Sequence, residues 1–403
     1  MFQDISSNEL KNIATEFGTP VYVYNADRIT HQYQKFCNAF SAIDFEIYYA
    51  CKALTNINVL KHILYIGCNV DCSSINEVKL ALHAGFPKEK ILYTSNGISF
   101  EEIIEAKELG VKINIDSLSN LQKFAATYGN TYPVGIRVRP NIMGGGNLKI
   151  STGHNKSKFG IPVTQIHEVL DVVNEFNINI QNLHIHTGSD LKDVDVWLKG
   201  IQVLFELIPL FPHLQAIDLG GGFKVAYHEN EKEVNLNELA KTIETAFATI
   251  KTSTGKPFQI WFEPGKYLVS QAGYFLTEVN VIKKSGDIEF VHVNSGFNHL
   301  IRPMFYDAYH KIENLSNPKG PIKKYAIVGN ICETDTFAWD REVSEIKEKD
   351  LLVFYNAGAY GFEMSSNFNS RYKPAEVLVK NNKAYLIRKR DEFNDLLRNQ
   401  IEI

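Results

Sequence analysis

The chain lacks several features that would fix its class at once. No run approaches the roughly 18 apolar residues that a membrane span needs. The first residues, Met1 to Asn12, are polar and partly acidic, so neither a signal peptide nor a transit peptide is expected there. Cysteine is scarce and odd in number: Cys37, Cys51, Cys68, Cys72 and Cys332. Such usage fits a reducing cytoplasm and not a disulfide framework. Cys68 and Cys72 lack the second ligand pair of a structural zinc site and read as buried thiols. Neither sign of charge is in excess, and a net charge of −4 over 403 residues offers nothing to nucleic acid or to an anionic membrane.

What is present is a rhythm. From about residue 45, short runs rich in Ile, Val, Phe and Tyr alternate with stretches at helical spacing. The runs are Phe45–Ala50, Asn69–Ser73, Ile91–Ser95, Ile113–Asp116, Val134–Val138, Leu183–His186, Ala216–Leu219 and Gln259–Phe262. Eight strands alternating with helices predict an α/β unit, a (β/α)8 barrel of roughly 250 residues. A doubly wound open sheet has the same rhythm and is the alternative. After residue 266 the helical stretches give way to strand-like runs such as Phe275–Ile282, Lys324–Val328 and Ala375–Val379. These predict a second, mostly antiparallel β domain. The barrel is placed at 26–265, and the β domain at 1–25 plus 266–403, with the strand-like segment Thr19–Tyr24 pairing into it.

In a barrel the chemistry collects past the C-terminal strand ends. The first strand ends in Cys51-Lys52, the second in Asp71, and the fifth passes through Arg137. The sixth carries His184 and His186 into Gly188-Ser189. The seventh runs into Gly220-Gly221-Gly222 and the eighth into Glu263-Pro264-Gly265. A purely structural barrel has no need of a lysine, histidines, a triple glycine and a carboxylate at these points. Desolvation of a lysine inside a barrel mouth frees its amine for a Schiff base, whereas an isolated strand-end lysine simply faces solvent. Paired histidines two apart on a strand face the same way and are able to bind zinc, but no further histidine cluster stands at other strand ends, so no metal is expected. The glycine run lets backbone N–H groups approach an anion and lacks dinucleotide spacing. Glu263 needs a partner, either a protonated pyridine nitrogen or the nearby Lys266.

In order and spacing these motifs resemble the diaminopimelate decarboxylases, members of the alanine-racemase-like, fold type III pyridoxal-phosphate enzymes. The similarity runs from about residue 19 to residue 380. It is carried by Tyr48-Tyr-Ala-Cys-Lys-Ala53, Val70-Asp-Cys-Ser-Ser74, Ile150-Ser-Thr-Gly153 with Ser157-Lys-Phe-Gly160, and Leu183-His-Ile-His-Thr-Gly-Ser189. It continues in Asp218-Leu-Gly-Gly-Gly-Phe223, Phe262-Glu-Pro-Gly265, Leu300-Ile-Arg-Pro303 with Tyr306, Ile331-Cys-Glu333 and Ala357-Gly-Ala-Tyr-Gly361.

The resemblance implies a role for each residue. Lys52 is the Schiff-base lysine and Cys332 the proton donor. His186 stacks on the pyridine ring, Glu263 partners its nitrogen, and Ser189, Gly220, Gly221, Gly222 and Tyr360 hold the phosphate. Asp71, Arg137 and Gly265 stand beside the cofactor. Arg302 and Tyr306 clamp the substrate's distal carboxylate, Glu333 accepts its distal ammonium, and Tyr360 lies beside it. The resemblance further implies an obligate homodimer with shared active sites. The expected substrate is meso-diaminopimelate and the product L-lysine, since lysine or ornithine would offer Arg302 no carboxylate. Carboxynorspermidine or basic amino-acid decarboxylation, racemisation and a non-catalytic binding role are the alternatives.

The chain departs from the family pattern in four places. Lys266 stands where the family has a substrate-contacting arginine, keeping the charge without the bidentate fork. Asn294-Ser295-Gly296 and Gly329-Asn330 replace Asp-Ala-Gly and Gly-Pro. The Gly144-Gly145-Gly146 run is also atypical, and the loop over 144–160 is read as a lid.

Overall fold

A computed structural model of the chain describes residues 4–142, 153–154 and 157–403. The Gly144–Gly146 run, the Ile150–Thr152 part of its motif and most of the lid region lie outside the described residues. The chain divides into two compact units. One holds residues 32–225 and 232–267, the other residues up to 31, 226–231 and 268–403.

The strands of the first half, in chain order, are β1 (Val21–Asn25), β2 (Phe45–Ala50), β3 (Asn69–Cys72), β4 (Ile91–Thr94) and β5 (Lys112–Ile115). They continue with β6 (Val134–Arg139), β7 (Ile161–Pro162), β8 (Ile180–His184), β9 (Ala216–Asp218) and β10 (Gln259–Phe262). Strands β2, β3, β4, β5, β6, β8, β9 and β10 pair in parallel in that order, and β10 returns to β2, closing an eight-stranded barrel. This closure decides for the barrel and against the open sheet. The short β7 adds to β6 outside the ring.

The helices between strands follow from local sequence. The helix Leu236–Thr254 begins where the Asn235 side chain accepts the Glu238 N–H, and ends at Gly255 with φ +69°, a left-handed backbone that glycine enters most readily. Its buried face, Leu236, Leu239, Ala240, Ile243, Phe247 and Ile250, repeats at three and four residues, as a helix laid on a sheet requires. No helix among the described residues is long and apolar enough to cross a membrane.

The second unit is a sheet of β1 with β11 (Gly273–Ser285), β12 (Ile288–Val293), β13 (Ile312–Asn314), β14 (Ile322–Val328), β15 (Thr336–Ser344), β16 (Leu351–Phe354), β17 (Ala375–Lys380) and β18 (Lys383–Arg388). Its pairings are antiparallel except β1–β17 and β12–β14. β1 lies between β11 and β17, and all five of its residues are buried. Val21, Val23, Leu276, Val353 and Val377 meet in the core beneath.

Two buried histidines of this unit set a pH dependence. Burial pushes the His299 imidazole down to about 4 and that of His310 to about 3. Unfolded histidine titrates near 6.5. Below that pH the unfolded chain takes up protons that the folded chain refuses, so stability falls as pH drops. Unfolding midpoints are expected to decline steadily from pH 6.5 to 4, with a shallower decline in His310→Gln. An equal slope in the variant would remove His310 from the account.

Candidate active site

The barrel mouth gathers most of the strand-end residues singled out in the sequence. Lys52 leaves β2 on a single 3-10 turn, Cys51–Ala53, closed by the Leu54 N–H on the Cys51 carbonyl at 2.9 Å. Its Nζ stands 3.4 Å from Asp71 Oδ2 at the end of β3. Asp71 is fully buried, whereas the lysine side chain is 43% exposed, so the amine remains reachable while its partner is dry. Burial, reinforced by the Glu263 charge and opposed by Lys52, pushes the Asp71 carboxyl up to about 8.

Glu263 is buried at the end of β10 and does not pair with Lys266. His184 Nε2 lies 3.3 Å from its Oε2, and the Thr94 hydroxyl donates to its Oε1 at 3.3 Å. Burial alone would raise this carboxyl, but the His184 contact and the Lys52 ammonium outweigh it and hold Glu263 below its ordinary range. Behind Thr94 the chain of bonds continues across the barrel interior. The Asn114 amide donates to Thr94 Oγ1 at 3.1 Å, and the Asn182 amide to Asn114 Oδ1 at 2.8 Å. Gly135 makes room for it, since a Cβ there would lie 2.0 Å from Asn114 Oδ1.

Strand β8 ends at His184, two residues before the point its apolar pattern suggests. Pairing survives for one more bond, Ile185 N–H to the Asp218 carbonyl at 2.9 Å, before the chain turns through Gly188 and Asp190. His186 therefore lies beyond the strand. Its Nδ1 accepts the Gly221 N–H at 3.3 Å. Burial and the Arg137 and Lys52 charges hold this imidazole well below its usual pKa, so it is neutral at working pH. Arg137 is buried, with its guanidinium 4.8 Å from the Phe159 ring. Ser189 is half-buried. Gly265 packs on the end of β2, where a Cβ would lie 3.1 Å from the Ala50 carbonyl.

His184, Asp218 and Glu263 bring ligand-type atoms within 4.8 Å of one another. Both carboxylates are engaged, Asp218 by the Gly220 N–H at 2.9 Å and Glu263 by Thr94. Burial and Glu263 together push the Asp218 carboxyl well above its ordinary range. The cluster supports Glu263 from within the barrel, and His186 takes no part in it. Thr94, Asn114 and Asn182 were not legible as site residues, because their partners are distant in sequence.

The remaining residues belong to the second unit. Arg302 opens the short helix Arg302–Tyr306 and is buried, its guanidinium 5.1 Å from the Tyr227 ring. Its Nε has no hydrogen-bond partner among the described residues. Tyr306 packs edge-on to Phe305. Cys332 and Glu333 stand exposed in the turn after β14, where the Cys332 N–H donates to Asn369 Oδ1 at 2.8 Å. Tyr360 is half-buried in a left-handed backbone, φ +54°. All five thiols are free, and Cys51, Cys68 and Cys72 are buried.

A reachable amine beside a dry acid, an ionised buried carboxylate and a side-chain-free glycine loop together fit pyridoxal phosphate. A Cβ on Gly220 would lie 2.6 Å from the Ile185 carbonyl, and one on Gly222 2.1 Å from that of Gly188, so no larger residue fits this cradle. Residues 26–270 match the pyridoxal-binding domain of the pyridoxal-dependent decarboxylases. The chain is a pyridoxal-phosphate-dependent decarboxylase. The diaminopimelate decarboxylase of Methanothermobacter thermautotrophicus is 36% identical, over 99% of this chain and 98% of that one. That of Campylobacter jejuni is 35% identical, over 96% and 97%. The crystal structure of the Helicobacter pylori diaminopimelate decarboxylase complexed with L-lysine superposes with a TM-score of 0.87 at 31% identity, covering 96% of this chain and 98% of that one. The chain belongs to the diaminopimelate decarboxylase family.

Proposed function

We propose that the protein decarboxylates meso-2,6-diaminopimelate to L-lysine and CO2, the last step of lysine biosynthesis. The observation that carries the substrate assignment is Arg302, a buried guanidinium with an unpaired Nε. Such a group calls for an anion, because an unpaired buried donor is costly. A substrate with a second carboxylate supplies it. The lysine in the Helicobacter pylori relative supports the same reading from the product side.

Pyridoxal phosphate, when bound, supplies the electron sink that accepts the pair left on Cα as CO2 departs. The chain's own residues do the rest. Lys52 would hold the cofactor through its amine. Asp71, 3.4 Å from Lys52 Nζ and pushed to about 8, exchanges a proton with that nitrogen near neutral pH. Glu263 would present a carboxylate to the ring nitrogen, and neutral His186 would offer its face to the ring. Ser189, Gly220–Gly222 and Tyr360 would receive the phosphate. Cys332 delivers a proton to the carbon, Arg302 and Tyr306 take the distal carboxylate, and Glu333 takes the distal ammonium. Cys332 and Glu333 are exposed on the single chain, which supports a homodimer whose partner covers them. A cytoplasmic setting keeps its free thiols reduced.

CO2 release from meso-diaminopimelate, L-lysine, L-ornithine, L-arginine and carboxynorspermidine tests the reading. Release is expected from meso-diaminopimelate alone. Arg302→Met is expected to raise its KM by on the order of 10–100-fold, the worth of a charge-assisted hydrogen-bonded contact. Release from carboxynorspermidine or a basic amino acid instead would overturn the substrate and leave the decarboxylase.

A further inference from the structure

We infer that Lys266 and Asp190 form a clamp that sets the phosphate-binding loops, so that Lys266 is a positioning residue for the cofactor and not a reader of substrate. The inference rests on the proposed role of Ser189 and Gly220–Gly222 in holding the phosphate.

Three loops leave neighbouring strands at the barrel mouth. The loop after β8 holds Gly188-Ser189-Asp190, that after β9 holds Gly220–Gly222, and that after β10 runs from Glu263 to Lys266. The first two are tied by backbone: the Leu191 N–H donates to the Gly222 carbonyl at 2.8 Å and the Lys224 N–H to that of Leu191 at 3.2 Å. The second and third are tied likewise by the Glu263 N–H on the Gly220 carbonyl at 2.8 Å. A Cβ on Gly221 would lie 2.3 Å from the Glu263 carbonyl, so these loops touch through bare backbone.

The first and third loops flank the glycine run, and the Lys266 ammonium bridges them by pairing with Asp190 Oδ1. The pair is drawn partly out of water, with side chains 12% and 28% exposed, so salt and solvent screen it less than a surface pair. Asp190 holds φ +60°, a backbone that non-glycine residues adopt uncommonly, directly after Ser189. The ion pair fixes that backbone and with it the direction in which Ser189 points. An ammonium is a compact point charge without the fork of a guanidinium, and here it pairs with Asp190.

The test is titration of cofactor-free protein with pyridoxal phosphate and, separately, with pyridoxal, which lacks the phosphate. Wild type, Lys266→Ala, Asp190→Asn, the double variant and Ser189→Ala are compared, with binding read from cofactor absorbance. Each single variant is expected to weaken pyridoxal phosphate on the order of tenfold, the double variant no more than either alone, and pyridoxal affinity is expected to hold. Equal weakening of pyridoxal, or additive losses in the double variant, overturns the clamp. So does unchanged cofactor affinity with a raised substrate KM in Lys266→Ala but not in Asp190→Asn. If Ser189→Ala leaves pyridoxal phosphate affinity untouched, the phosphate-loop reading fails and takes the clamp with it. If Ser189→Ala weakens it while the clamp variants do not, the clamp alone fails.

Discussion

A Lys52→Ala variant is expected to lose decarboxylation by on the order of 10³-fold or more, even with excess pyridoxal phosphate. The position leaves little room for a substitute. Lys52 sits on a one-turn 3-10 segment whose neighbours Cys51 and Ala53 are both buried, so no flanking side chain is able to swing into its place. The amine is partly open while Asp71 beneath it is dry, an arrangement that suits an amine used as a nucleophile. Lys52→Arg separates the two properties of the residue. It preserves a cation for Asp71 but offers no amine for a Schiff base, so it is expected to fold as the wild type and to be as inactive as the alanine variant. Borohydride reduction in the presence of cofactor should label the wild type covalently and leave both variants unlabelled. An arginine variant that kept more than a tenth of the wild-type rate would show that the charge, and not the amine, is what the site needs.

The fold was legible where apolar runs are dense and poorly legible at their ends. The eight barrel strands announce themselves because a strand buried on both faces is apolar along its length. His184 and His186 look equivalent in sequence, yet His184 ends β8 against Glu263 and His186 lies past the strand, against Gly221. What separates them is where the β8–β9 ladder stops, a property of two segments together and not of either one. The same limit hid the interior polar chain. Thr94, Asn114 and Asn182 lie on three strands, and each reads locally as an unremarkable polar residue. Gly135 was the available signal, since a glycine inside a strand marks a close approach, here that of the Asn114 amide. Lys266 follows Glu263 closely in sequence and invited a pairing with it. The observed partner is Asp190, because the pairing of β8, β9 and β10 brings the loop after β8 to the end of β10.

Glu263→Gln is expected to lower kcat by on the order of 10²- to 10⁴-fold with a modest change in stability. Glutamine has the same shape and still accepts from Thr94, so the backbone at the end of β10 has no reason to move. What it lacks is the charge. In the wild type, burial works against that charge, and the His184 contact and the Lys52 ammonium sustain it. The folded carboxyl is therefore held below its ordinary value of 4.5, and the stability it contributes is present above that value and lost only as pH falls through the lower, folded one. An acid limb of the rate profile near pH 6 thus cannot belong to Glu263, and it should keep its position in wild type and variant alike while the plateau drops. The cofactor's absorbance supplies the second readout, because a ring nitrogen without an anionic partner gives up its proton at lower pH. A Glu263→Gln enzyme within tenfold of wild type, with unshifted cofactor titration, would mean that the His184–Glu263 pair holds the barrel mouth together without serving the ring. A large loss of rate accompanied by that spectral shift assigns Glu263 the task of presenting an ionised carboxylate to the ring from a buried position.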